Sequence, residues 1–162
     1  MGKKQLAIDL VPLNNWGQNV RTQCPDKVWD RLRRITYRNA KHRCEICGET
    51  GLDQGRTHPV ECHEIWVIDE EKKIQRLDGL IALCPLCHEV IHAGRTVKVK
   101  GPEGLAAILD RLCRVNGWTL KQSGDHFREA FATWQKRSQH RYELDISWAL
   151  PATPGSSTPV YE

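Results

Sequence analysis

Two Cys-x-x-Cys pairs stand far apart in this chain, with histidines between and after them, and this arrangement narrows the folds open to it. The segments read Cys44-Glu45-Ile46-Cys47-Gly48, then Glu61-Cys62-His63-Glu64-Ile65, then Cys84-Pro85-Leu86-Cys87-His88-Glu89-Val90-Ile91-His92. Four thiolates close one tetrahedral zinc ion. A structural zinc on Cys44, Cys47, Cys84 and Cys87 therefore requires the two pairs to meet. Gly48 allows a tight turn after the first pair, and Pro85 suits the first turn of a helix in the second. Cys24, Cys62 and Cys113 lack partners at this spacing. Disulfides are the competing reading, but Met1-Gly2-Lys3-Lys4 leads into no sustained apolar run and no membrane-spanning stretch follows. A reducing, cytoplasmic compartment is expected, where disulfides are rare.

The histidines remain once the thiolates are assigned. His88 and His92 lie at i and i+4, so a helix starting near Pro85 puts them on one face. His63 follows His58-Pro59-Val60-Glu61-Cys62, a segment that reads as a strand end. A cluster of His63, His88 and His92 would hold a second divalent ion with positions open for water and a phosphate oxygen. The bland alternative makes His92 a helix-end residue and His63 a core residue.

Support for this centre comes from both sides of the chain. Val28, Trp29, Leu32 and Ile35 form an apolar stripe in a helix expected over Pro25 to Arg43, while Arg31, Arg34, Arg38 and Lys41 recur on another face. Residues 1–43 carry ten basic and three acidic side chains (+7), residues 44–92 four and ten (−6), and residues 93–162 ten and seven (+3). Basic flanks around an acidic, metal-binding middle suit a phosphate-bearing partner, although such arginines also simply solvate a helix. Trp66 to Leu77 suggests a hairpin with an acidic-then-basic turn, where Arg76 or Gln75 is either a phosphate contact or ordinary surface. Arg95 to Lys100 alternates basic and β-branched residues and reads as an exposed strand or arm. Gly101-Pro102 breaks the chain before a helix through Leu105, Ile108, Leu109 and Leu112, ending near Asn116-Gly117. A further helix carries Phe127, Ala130, Phe131 and Trp134, and Tyr142 to Leu150 alternates as a closing strand. Asp9 to Arg21 reads as an ordered loop, and residues 151–162 as a disordered tail. The divisions are thus 1–43, 44–95, 96–150 and the tail, all but the tail in one compact domain.

Residues 44–95 resemble the HNH endonuclease superfamily, also described as His-Me finger nucleases. The resemblance rests on the first cysteine pair, the Glu-Cys-His-Glu-Ile strand and the run Leu80-Ile81-Ala82-Leu83-Cys84-Pro85-Leu86-Cys87-His88-Glu89-Val90-Ile91-His92. Val11-Pro12, Trp16-Gly17, Asn19-Val20-Arg21 and Trp29-Asp30-Arg31-Leu32-Arg33 extend the likeness toward bacterial and phage proteins of this type. It implies an α+β fold with a ββα-metal core, a four-cysteine zinc knuckle and flanking helices. It also implies one catalytic divalent ion, whether magnesium, manganese, nickel or zinc, and phosphodiester hydrolysis in DNA more than RNA. Two registers remain open. In one, His63 is a metal ligand and Glu64 the base, giving a three-histidine centre. In the other, Cys62 is the ligand and His63 the base. Gly79 occupies the place where the family carries an asparagine that orients the base. Either Glu64 needs no such orienter or the chemistry is lost.

Three functions follow as expectations. The first is a metal-dependent endonuclease whose phosphate track includes Arg31, Arg34, Arg38, Lys41 and Arg76. The second is a zinc protein with the same fold that only binds nucleic acid or protein. The third is a zinc deaminase built on Cys62, Glu64, Cys84 and Cys87, which would strand Cys44 and Cys47.

Overall fold

The structure is a computed structural model that describes residues 4–150. It is mixed α+β, with one three-stranded sheet and five α-helices among the described residues. The expected tail at 151–162 lies outside them. No helix among them is long and apolar enough to cross a membrane.

A hairpin of β1 (Glu61–Asp69) and β2 (Ile74–Leu83) forms the centre. Its strands are antiparallel, with His63 opposite Ile81 and Ile65 opposite Gly79. The register then slips so that Trp66 faces Leu77, leaving Asp78 as the extra residue of a bulge. Alternation along the strands creates two unlike faces. One face carries Ile65, Ile81 and Leu83 into the larger core, with Leu6, Ile8, Val90, Ile91, Ile108 and Leu112. The other carries Trp66, Leu77 and Leu80 against Val28, Trp29 and Leu32.

That second layer is closed by α1 (Val20–Gln23) and α2 (Asp26–Asn39). Asp26 in the first turn of α2 and Arg38 in the last complement its dipole. The helix stops short of the expected Arg43 because Lys41 and His42 adopt left-handed conformations, with φ of 52° and 56°.

On the opposite layer, β2 runs directly into α3 (Pro85–Ile91), with Cys84 as its N-cap and Pro85 at its start. His92 ends α3 and precedes α4 (Ala93–Asn116). The strand or arm expected at Arg95 to Lys100 is therefore helix. Its two-residue alternation coincides with a helical set: Ala93 and Thr96 are buried, and Val97 packs on the core one position further. The Thr96 hydroxyl also donates to the Glu89 carbonyl at 2.7 Å, and Lys100 pairs with Glu89 at 2.8 Å. The break expected at Gly101-Pro102 is present as a kink, where Gly101 has φ 59° and ψ −142°. The helix ends at Asn116 with Gly117 left-handed.

Next comes α5 (Leu120–Arg137), opened by a reciprocal cap between Thr119 and Gln122, with Phe127, Ala130 and Phe131 turned to the core. Of the expected closing strand only β3 (Glu143–Asp145) pairs, parallel to β2. A 3-10 turn at Ser147–Ala149 ends the alternation, leaving Leu150 exposed. Gln75, a possible phosphate contact from the sequence, is instead fully buried in β2, beneath the β3 pairing.

The N-terminal stretch is laced to the C-terminal helices and β3. Asn116 exchanges two hydrogen bonds with the Leu6 backbone at 2.8 and 2.9 Å, and Asn15 does the same with Tyr142 at 2.9 and 3.2 Å.

Candidate metal centres

The two cysteine pairs converge. The turn at Cys44–Gly48 is closed by the Gly48 amide donating to the Cys44 carbonyl at 2.9 Å, with Gly48 at φ 82°. Cys84 and Cys87 come from the hairpin exit and the first turn of α3. Sulfurs of all four lie within 4.8 Å of one another. Tetrahedral zinc with bonds of about 2.3 Å sets neighbouring sulfurs about 3.8 Å apart, whereas a disulfide needs about 2.0 Å. The Cys47 and Cys84 sulfurs are 3.6 Å apart, and all four cysteines are free. The donor set thus fits a structural zinc ion. The neighbouring thiols hold Cys44 far below the usual thiol range.

Arg111 of α4 reaches over this centre. Its Nη2 lies 3.1 Å from the Cys47 sulfur and 3.5 Å from those of Cys84 and Cys87, while pairing with Glu49 at 2.9 Å. Only 8 % of the residue is exposed. A guanidinium placed this way offsets the negative charge of four thiolates around a dication.

The second group gathers His63 from β1 with His88 and His92 from α3 and its C-terminal cap. The helical spacing aligns the last two, and strand alternation turns His63 toward them. The three rings meet edge to face with centroids 4.7 to 5.1 Å apart. Nδ1 of His63 is 3.3 Å from Nε2 of His88. Two nitrogens on a tetrahedral ion with bonds of 2.0–2.1 Å stand about 3.3 Å apart, so this donor set fits a divalent ion as well. Burial and the neighbouring His92 and His88 depress His63 to a pKa of about 2. Burial, His88 and Arg95 depress His92 to about 4. Both imidazoles are therefore neutral at pH 7, the form that ligates.

Glu61, to which the sequence reading gave no role, packs against this group. Its Oε2 lies 2.5 Å from Nδ1 of His88, and its Oε1 lies 2.8 Å from Nε2 of His58. The pairing with His88 pulls the Glu61 carboxyl down to about 2. With Nδ1 held by the carboxylate, His88 presents Nε2 to His63, the carboxylate–histidine support that metal ligands use. The signal was present in the sequence: Glu61 stands two residues before His63 and so shares its strand face.

Cys62 and Glu64 point to the other side of β1. Cys62 packs beside Thr36 and Tyr37 of α2, and burial raises its thiol to about 12. It joins neither group, so neither the Cys62-ligand register nor a deaminase set of Cys62, Cys84 and Cys87 is assembled. Glu64 accepts a hydrogen bond from the Val20 amide at 3.2 Å, and burial raises its pKa above the ordinary 4.5. Despite the opposed directions, Glu64, His63, His88 and His92 line one cleft of about 730 Å³. Gly79, opposite Ile65, has room for a Cβ, which would meet only the Ile65 Cδ1 at 3.9 Å. The hold on Glu64 comes from the Val20 amide instead.

The basic residues expected to track phosphate fall elsewhere. Arg31, Arg34, Arg38 and Lys41 lie along and just beyond α2, and none lines the cleft. Arg76 is exposed beside Asp78, several residue pairs along the hairpin from His63. The cations on the cleft wall are Arg21, Arg95 and Lys98, drawn from α1 and α4. No family model, curated protein or solved structure matches the chain.

Proposed function

We propose that the protein is a metal-dependent endonuclease of the HNH type that hydrolyses phosphodiester bonds, in DNA rather than RNA. One observation carries the reading: three imidazoles from a hairpin and the helix following it share a cleft with a buried carboxylate of raised pKa. The ββα order of these elements supports the resemblance seen in the sequence.

His63, His88 and His92 would hold the divalent ion, and that ion supplies Lewis-acid stabilisation of the charge developing on the phosphate. Glu61 fixes the His88 tautomer so that Nε2 faces the centre. Glu64 is the general base. Water oxygen bonds to phosphorus, its proton passes to Glu64, the bond from phosphorus to the sugar oxygen breaks, and solvent protonates the departing oxygen. Burial helps by raising Glu64 toward the working pH, which makes it a better base than an exposed glutamate. Arg95 and Lys98 hold neighbouring phosphates.

The test is nicking of supercoiled plasmid by zinc-loaded protein supplied with magnesium, manganese, nickel or further zinc. Metal-dependent nicking that disappears in Glu64→Gln and His88→Ala supports the assignment. Absence of cleavage of both plasmid and single-stranded DNA with every metal, from protein that keeps its zinc, refutes it. The absence of any side chain at Gly79 favours the alternative in that event, a zinc protein that binds nucleic acid or protein without cutting it.

A further inference from the structure

The cleft that holds the histidines is also lined by aromatic side chains. Besides the histidines it is lined by Trp16, Trp134 and Phe131, and by Arg21, Arg95 and Lys98. Trp16 comes from the N-terminal loop, and half of it (52 %) is open to solvent. It is nevertheless held in place. Its indole N–H donates to the Val11 carbonyl at 2.9 Å, and the Trp134 indole donates to the same oxygen at 3.1 Å. The two rings lie 6.2 Å apart, tilted by 30°. A large aromatic surface is thus fixed in advance beside the site rather than buried under it.

We propose that this cleft receives an unpaired nucleotide, with its base on Trp16 and its phosphate toward the histidines, so that the preferred substrate is single-stranded nucleic acid. The inference rests on the nuclease reading and adds the substrate class to it. Cations alone would serve a duplex equally well, because they meet only phosphates. A ring face serves an unpaired base, since the bases of a duplex already stack on each other. The volume agrees: about 730 Å³ is a pocket for a small molecule or a nucleotide, not a groove for a double helix.

The experiment measures fluorescence anisotropy of a short labelled oligothymidylate and of a duplex of equal length. Zinc-loaded protein is used without a second added metal, at one ionic strength. The single strand is expected to bind more tightly. Trp16→Ala is expected to weaken single-strand binding on the order of 10- to 100-fold while leaving duplex binding unchanged, and Trp16→Phe to restore most of the loss. Lys98→Glu, at an exposed position, is expected to weaken single-strand binding and flatten its salt dependence. Equal or tighter duplex binding, an equal loss on both ligands in Trp16→Ala, or no effect of Lys98→Glu overturns the proposal. Cleavage assays on both ligands separate it from the reading beneath it. Trp16-dependent binding of the single strand with no cleavage under any metal refutes the nuclease and supports the cleft. Nicking of duplex without preference for single strands refutes the cleft and supports the nuclease.

Discussion

Replacing Arg111 with methionine keeps an unbranched stem in place and removes the charge over the cysteine centre. Four thiolates on a zinc dication leave a net charge of −2, and one guanidinium nitrogen faces three of the four sulfurs at 3.1 to 3.5 Å. Loss of an outer-shell partner typically weakens metal binding by about 10- to 100-fold, or about 1.4–2.7 kcal/mol. A hydrogen bond to a charged group contributes about 1.5–3 kcal/mol, and one nitrogen shared among three sulfurs counts roughly once, so the two routes agree. Zinc competition against a chromophoric chelator is therefore expected to show a Kd raised by about one to two orders of magnitude. The melting temperature is a blunter readout. The Arg111 Nε is buried with no hydrogen-bond partner, so its removal relieves a cost that partly offsets the lost zinc affinity. Unchanged zinc affinity in a folded Arg111→Met protein would show that the arginine merely packs against the cysteines, and the charge argument would be wrong.

Three further outcomes are expected. Cys84→Ala removes a ligand that is also the N-cap of α3, so the cooperative thermal transition should be lost, and an unshifted melt would refute a structural zinc. Gln75→Met replaces a fully buried amide, neither end of which is hydrogen-bonded, with an apolar side chain of similar length. Denaturant unfolding should show a gain of about 1–3 kcal/mol, and a loss would mean that the amide is satisfied. The proposed nuclease reaction would need Glu64 ionised, and burial raises its pKa. Activity should therefore be retained at alkaline pH and fall with acidification through a midpoint above 4.5. A limb at or below 4.5 would deny Glu64 its buried setting.

The parts of the site that depend on local spacing were legible in the sequence. A Cys-x-x-Cys pair and two histidines four apart describe their own geometry. His63 could be added because strand alternation leaves two choices of face, although choosing between His63 and Cys62 required knowing which face α3 covers. The basic residues that line the cleft were not singled out as such in the sequence, for a related reason. The arginines of α2 form a visible run, whereas Arg21, Arg95 and Lys98 meet only after α1 and α4 have folded around the cleft. Arg95 to Lys100 deceived because alternating β-branched residues fit a strand locally, while burial of Ala93 and Thr96 and packing of Val97 on the core favoured the helix. The burial of Gln75 was equally hidden, since it depends on the parallel pairing of β2 with a strand far later in the chain. Sequence distance, more than chemistry, separated what could be read from what could not.

A single helix of seven residues, Pro85–Ile91, begins at one cysteine ligand, carries another and a histidine ligand, and hands the last histidine to the following joint. Ions held at the two groups would consequently not be independent tenants. Filling the sulfur site would anchor the helix from its first turn and so set the spacing of the imidazoles at its far end. Loading should proceed in a fixed order, sulfur before nitrogen, and a chelator mild enough to spare the first ion should strip the second reversibly. A stronger one should erase both at once, together with the shape that distinguished them.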